Sequence, residues 1–405
     1  MNFLIYICKQ NPDQETMHVK AISTNVGKAL LINALFMLFA IIISIIYGFD
    51  SAFTPLVISF LATFITGLFP FIFVKSKTET SLQDGYLTIV ISWLLSFVFG
   101  MLPYVLWGGE FTLMNAWFES VSGYTTTGST ILTDIEALPK SLLFWRSSTH
   151  FIGGLGVIVF LLMIIPDTSP SKLKLAHLEL SSLSKEGYRY KSGKTSRVML
   201  TVYLGLTLAE SLCLWAAGMS LFDAVNHAFS TVATGGFSTR NTSIKHYASP
   251  LIDIIITIFM ALSAMHFGAI FAILAKRTLK PATGGVTRYY LWVIAVLSIT
   301  TAISLKLQGG YESWGRSFLD STFQTVSYLT TTGFGQADNS KWPLLANALL
   351  LFAAFHCGCS GSTTGGIKAD RMYISLKAIW MDLQKRLHPS SLFRTRVSGR
   401  ILDED

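Results

Sequence analysis

Eight apolar runs dominate the chain, at residues 29 to 48, 53 to 74, 85 to 107, 142 to 165, 198 to 217, 251 to 275, 289 to 307 and 344 to 359. Most approach the roughly 20 residues a helix needs to cross a bilayer. Lipid offers the backbone no hydrogen-bond partner, so a spanning segment must be a helix or part of a closed barrel, and continuous runs of this length fit helices. Eight transmembrane helices and an all-α fold are expected. Composition agrees: of 405 residues, 51% are hydrophobic and 13% charged, against about 25% charged in soluble domains. The first run follows a polar stretch with Lys9, Asp13, Glu15, Lys20 and Lys28, and no small-residue cleavage site comes after it. A cleaved signal peptide is not expected.

Basic residues set the orientation, because connections rich in Lys and Arg stay on the cytoplasmic side. Alternate connections hold Lys75 and Lys77; Lys172, Lys174, Lys185, Arg189, Lys191, Lys194 and Arg197; Lys276, Arg277, Lys280 and Arg288; and Lys368, Arg371, Lys377, Lys385 and Arg386. The other connections carry Asp50, Glu110, Glu119, Asp134, Glu136, Asp223, Glu312, Asp320 and Asp338. Both termini are therefore expected inside. The net charge of +8 is a topology signal, and no nucleic-acid partner is expected. Cys8, Cys213, Cys357 and Cys359 lack zinc-site spacing and read as reduced thiols.

Three outward connections share a pattern that hydropathy alone does not produce. The first runs Thr112-Leu-Met-Asn115 and then Ser122-Gly-Tyr-Thr125-Thr126-Thr127-Gly128. The second runs Ser220-Leu-Phe-Asp223 and then Ser230-Thr-Val-Ala233-Thr234-Gly235-Gly236. The third runs Ser317-Phe-Leu-Asp320 and then Ser327-Tyr-Leu-Thr330-Thr331-Thr332-Gly333. In each, seven residues separate the Asn or Asp from the later Ser, and six separate that Ser from the last Gly.

A Ser or Thr three residues ahead of Asp or Asn can cap a helix, so short helices are expected to begin at Thr112, Ser220 and Ser317. Roughly ten apolar and small residues follow, too few to span, so each segment must dip in and return. Such backbone is tolerated at membrane depth only where protein buries it or water surrounds it. The C-terminal end of each short helix carries partial negative charge and points at the Thr-rich run, which favours cations. Thr hydroxyls add acceptors, and Gly tolerates the positive φ that aims a carbonyl at a pore. Rings of carbonyls that replace an ion's hydration shell make a potassium filter. Helix-connecting turns would explain one copy of the motif, but not three in register.

On these residues the chain closely resembles the Trk/Ktr/HKT superfamily of potassium transporters, and within it the TrkH-type membrane subunit. Phe144-Trp145-Arg146-Ser147, Ala233-Thr234-Gly235-Gly236-Phe237-Ser238-Thr239 and Thr330-Thr331-Thr332-Gly333-Phe334 carry the likeness. It extends over nearly the whole chain, and two helices ahead of the first repeat favour the TrkH type over the shorter Ktr type.

The resemblance implies a polytopic protein with two N-terminal transmembrane helices and then three helix–pore loop–helix repeats around a pseudo-fourfold axis. The expected divisions are 1–80 for the N-terminal segment and extra helices, 81–168 for repeat 1, 169–197 for a cytoplasmic loop, 198–277 for repeat 2, 286–378 for repeat 3 and 379–405 for a cytoplasmic link. One filter glycine per repeat maps onto Gly128, Gly236 and Gly333. Plant relatives that pass sodium often have Ser at the first of these, so Gly128 favours potassium.

The resemblance also implies a gate, a non-helical loop that interrupts the inner helix of repeat 3. Gly358, Ser360, Gly361, Ser362, Thr363, Thr364, Gly365, Gly366 and Lys368 match its position. Physics supports a break there, since each Gly costs up to about 1 kcal/mol in a helix relative to Ala. Close helix packing by small residues is the other reading of the same run. Further implications are a bacterial inner-membrane location, a homodimer in membrane lipid, potassium as substrate with no bound cofactor, and a separate cytoplasmic nucleotide-binding regulatory ring. The basic segments 169 to 197 and 368 to 400 are that ring's candidate docking surface, or simply a solvated positive face.

Other features weigh less. Glu210 lies inside an apolar run, where a carboxylate is either functional or paired with Arg146 or another buried polar group. His150, His266 and His356 stand 22, 30 and 23 residues beyond the filter glycines, and polar packing suits such uneven spacing better than metal chemistry. Gly153-Gly154-Leu155-Gly156 has no preceding soluble strand, which excludes a dinucleotide fingerprint. An inverted-repeat secondary cation transporter and a sodium-permeable member of the superfamily are the rival readings; no nucleophile, base and metal constellation suggests an enzyme. A potassium filter takes four loops and only three are present here. From the 108- and 97-residue separations a fourth is expected near 430 to 445, so a shortened version of a longer protein is expected.

Overall fold

The computed structural model describes residues 18–74, 82–164, 192–276, 284–308 and 311–387, together with 396–397 and 400–401. Cys8, Lys75, Lys77, Arg277, Lys280, the basic residues from Lys172 to Lys191 and the stretch 388–395 lie outside the described residues. Most of the candidate ring-docking surface lies there too.

Described regular structure is helical apart from a two-residue antiparallel pair, β1 Arg396–Val397 with β2 Arg400–Ile401, and one bridge from His356 to Ile367. Two helices come first, α1 Val19–Ile46 and α2 Phe53–Phe73. The segment expected as repeat 1 holds α3 Leu82–Trp107, the short α4 Leu113–Tyr124 and α5 Lys140–Ile164. The segment expected as repeat 2 holds α6 Ser192–Ala216, the short α7 Leu221–Val232, α8 Pro250–Ser263 and α9 Phe267–Lys276. The segment expected as repeat 3 holds α10 Gly285–Leu307, α11 Trp314–Leu329, α12 Leu344–Phe355 and α13 Ala369–Leu387.

Helix α1 starts about ten residues ahead of its apolar run, so the polar stretch from Val19 to Lys28 is helical as well. It crosses α2 at two facing glycines: a methyl on Gly27 would lie 2.7 Å from the Gly67 carbonyl oxygen. Small residues allow this approach where lipid removes the hydrophobic drive between helices. Leu35, Phe39 and Ile42 of α1 and Ile58, Leu61 and Ile65 of α2 are exposed, and a chain with such a surface belongs in hydrocarbon. The polar side chains turn inward, as where Asn33 donates to Ser96 at 2.9 Å. Helix α5 is the hub, buried at every residue from 141 to 154 and packed on α1, α3, α4, α6 and α7.

The expectation of eight continuous spanning helices needs correcting. Among the described residues α1, α2, α3, α6 and α10 are long and apolar enough to cross a membrane. The run 251 to 275 is instead two helices, α8 and α9, bent by 107° at residues 264 to 266. The run 344 to 359 stops being helical after Phe355, and twelve residues are too few to span alone. Both breaks lie beside the same loop, described below. The third pore helix also differs from expectation. It begins at Trp314, with Ser313 at the cap position and no side-chain capping bond, and Ser317 donates to the Ala302 carbonyl at 2.9 Å instead.

Candidate ion filter and gate

Thr112 and Ser220 accept hydrogen bonds from the amides of Asn115 and Asp223, so the predicted caps do start α4 and α7. At the other end the three short helices terminate alike. The amides of Thr127, Gly235 and Thr332 donate back to the carbonyls of Ser122, Ser230 and Ser327, at 2.9, 2.8 and 3.0 Å. This six-residue closure requires a left-handed residue just inside it. That residue is Thr126 at φ +52°, Thr234 at +55° and Thr331 at +57°. For a β-branched side chain the conformation is an outlier costing about 1–3 kcal/mol, which persists only where the surroundings enforce it.

Two residues later Gly128, Gly236 and Gly333 have φ of +76°, +82° and +83°. The recurring Ser explains part of the enforcement. Ser122 and Ser327 donate to the carbonyls of Ser129 and Phe334, the residues after the glycines, at 2.6 and 2.8 Å. Ser230 contacts His150 Nδ1 at 3.3 Å, and His150 stacks on Phe237 with ring centres 4.0 Å apart. Thr125 and Thr127 pair through their hydroxyls at 2.8 Å, as do Thr330 and Thr332. The second loop has Ala233 and Gly235 there, and a methyl on Gly235 would fall 2.4 Å from His150 Nδ1. His150 is thus polar packing that fills the space the second loop leaves empty.

The loops are neighbours in sequence order. A methyl on Gly128 would lie 2.0 Å from the Gly235 carbonyl oxygen, and one on Gly236 would lie 2.0 Å from that of Thr332. A methyl on Gly333 meets none of the described residues within 4 Å. A cavity of about 530 Å³ adjoins Gly333, bordered by Thr127 and Gly128 of the first loop, Gly235 of the second and Tyr328, Thr331 and Gly333 of the third. Asn241 laces loop 1 to loop 2: it accepts from the Ile135 amide at 2.7 Å and donates to Asp134 at 2.8 Å. The same bond holds the Asp134 carboxyl below its ordinary range, so its contribution is full above that range and weakens on acidification, while the Ile135 bond has no titrating partner and is kept. Loop 2 meets loop 3 where the Gly335 amide donates to Ser243 at 3.2 Å.

Residues 356 to 368 are non-helical, with Gly361 and Gly366 left-handed. The backbone freed by this break and by the bend in repeat 2 is satisfied mutually. The Cys359 amide donates to the Ala264 carbonyl at 2.8 Å, and the Phe267 amide to that of Gly361 at 3.2 Å. The loop also reaches the C-terminal ends of α7 and α11: Thr363 donates to the Val232 carbonyl at 2.9 Å, and the Gly365 amide to the Thr331 hydroxyl at 3.1 Å. Lys368 bonds the Thr364 carbonyl, and Ser360 donates its amide to Asp370 at 2.6 Å. Ser362 and Thr364 pair at 2.9 Å, and a methyl on Gly358 would collide with Ala264.

Residues 54–405 match the family model for TrkH, described as a cation transport protein. The chain belongs to the TrkH family. It is 34% identical over 393 residues to the Trk system potassium uptake protein TrkH of Escherichia coli K12, covering 96% of this chain and 81% of the relative. It is 33% identical to the TrkG protein of the same organism, with the same coverage. The crystal structure of the potassium transporter TrkH from Vibrio parahaemolyticus superposes with a TM-score of 0.84 at 31% identity, over 95% of this chain and 80% of that one.

Several parts of this TrkH-family site escaped sequence reasoning. Arg146 pairs with Glu119, at 2.7 Å and with both residues buried, and not with Glu210. Glu210 is fully buried beside Thr231, and neither of its oxygens has a hydrogen-bond partner among the described residues. His266 accepts from the Gly268 amide at 3.0 Å, and His356 contacts the Tyr289 hydroxyl at 2.8 Å. The Ser263-Ala-Met-His266-Phe-Gly268 stretch, polar and small within an apolar run, was the available sign of the bend.

Proposed function

We propose that the chain carries potassium into the cell through a channel-like pore, with carbonyls of Thr125 to Gly128, Ala233 to Gly236 and Thr330 to Gly333 as the filter. The observation that carries this reading is the left-handed Thr and left-handed Gly recurring at one spacing in three neighbouring loops. Each follows the C-terminal end of a short helix, where partial negative charge favours a cation. The names of the relatives support potassium as the ion. A fourth loop of the same kind completes the ring on the open side. Residues 358 to 368 form the gate, both termini lie in the cytoplasm of a bacterial inner membrane, and a nucleotide-binding ring bound there regulates a homodimer.

The test is flux in proteoliposomes, using the chain joined after Asp405 to a fourth pore-loop repeat. A current that reverses at the potassium equilibrium potential supports the reading. Current that follows the sodium potential, or uptake driven only by a second ion gradient, overturns it. In the same form, deleting Gly361 to Thr364 removes the bonds to Val232 and Phe267. Basal flux is then expected to rise several-fold, and wild-type flux with intact regulation would dismiss this loop as the gate.

A further inference from the structure

Behind each filter strand stands a buried carboxylate from the short helix of its own repeat. In repeat 2, Asp223 accepts from the Thr239 hydroxyl at 2.6 Å and from Arg240 at 3.0 Å. In repeat 3, Asp320 accepts from the Gln336 amide nitrogen at 3.0 Å and from Arg316 at 2.8 Å. Thr239 and Gln336 both lie three residues past their filter glycines. In repeat 1 the aligned position is Asn115, and Glu119, one helical turn further on, takes over. It accepts from the amide of Ile131, again three past the glycine, at 3.2 Å, and from the Thr130 hydroxyl and Arg146. All three carboxylates are at most 3% exposed.

Three elements therefore recur: a buried acid, a basic partner and a bond to the residue three beyond the glycine. The acid shifts along the helix by one turn in repeat 1 and still meets the same target. A solvated charge would not need to do this, and a carboxylate serving only its own helix would not point at the strand. Arg146 extends the arrangement between repeats, because it also donates to the Ser238 carbonyl at 3.3 Å and lies 4.0 Å from the Phe237 ring centre.

We infer that Glu119, Asp223 and Asp320 are positioning residues for ion selectivity: they never touch the ion, and they hold the exit of each filter strand at the spacing potassium requires. This rests on the filter reading above. A carboxylate accepting several bonds is a stiff tether, since charge-assisted bonds are about twice as strong as neutral ones. A filter that replaces a hydration shell discriminates only if its carbonyls are held in place.

Two measurements on Asp223→Asn, Thr239→Val and Thr239→Ser test this. Hydrogen exchange on the purified chain is read at the amides of residues 237 to 241. Potassium over sodium discrimination is read in the ring-completed form. For Asp223→Asn and Thr239→Val, exchange in that segment is expected to quicken and discrimination to fall by about tenfold, the scale of one charge-assisted bond. Thr239→Ser keeps the hydroxyl and is expected to match the wild type in both. Unchanged exchange overturns the tether, and quicker exchange with unchanged discrimination leaves a structural contact and overturns the selectivity role. Quicker exchange combined with a wild type that does not prefer potassium would sink the potassium reading, and the selectivity role with it, while the tether itself stood.

Discussion

Gly128→Ser is expected to lower potassium over sodium discrimination by about tenfold or more, because overpacking of this kind costs roughly 1–3 kcal/mol. The first atom of the new side chain would sit 2.0 Å from the Gly235 carbonyl oxygen, well inside contact distance. That neighbour is backbone and cannot rotate away, so loop 2 must shift. Positive φ at residue 128 adds strain for any residue with a side chain. Gly236→Ser should behave alike, since its collision is with the Thr332 carbonyl oxygen at the same 2.0 Å. Gly205→Ala in α6 is the control, because a methyl there meets nothing within 4 Å. Competition of sodium with potassium uptake in the ring-completed form measures all three. Wild-type discrimination in both Ser variants would remove the glycines from the filter.

How much of this was legible in advance depended on the range of the interaction involved. Local chemistry read well: Thr112 and Ser220 cap their helices because each bonds an amide three residues away. The positive φ of Gly128, Gly236 and Gly333 was legible because it is a property of single residues, repeated here at fixed spacing. Thr126, Thr234 and Thr331 were not expected to be left-handed, since a β-branched residue avoids that region until helix closure forces it. The bend at residues 264 to 266 showed in the sequence only as the small and polar stretch from Ser263 to Gly268, because its backbone is satisfied by Cys359 and Gly361, almost a hundred residues away. Of the two kinds of partner considered for Glu210, Arg146 is not the one it has, for a similar reason. The partner of Arg146, Glu119, sits on an outward-facing segment that hydropathy treats as surface, whereas the short helix carries it inside. Ser317 failed as a cap because the carbonyl of Ala302 on the neighbouring α10 takes its hydroxyl.

Selective potassium current is expected to be absent from the 405-residue chain reconstituted alone, and to be restored when a fourth pore-loop repeat is joined to it. The asymmetry of the three glycines carries this argument. Gly128 is closed off by loop 2 and Gly236 by loop 3, yet none of the described residues closes off Gly333, which borders the same cavity as Thr127, Gly128 and Gly235. An ion between the loops would lack the carbonyls of one quadrant. Polar groups on that side would meet lipid or water, and an unsatisfied group in hydrocarbon costs roughly 2–7 kcal/mol. Water entering the gap would hydrate sodium and potassium alike, which removes the basis of discrimination. The glycines supply an internal check. In the chain alone Gly333→Ser should perturb the structure less than Gly128→Ser, as read by thermal unfolding. Once a fourth loop is present the two should become equivalent. Robust potassium-selective current from the unextended chain would show that the ring closes in some other way.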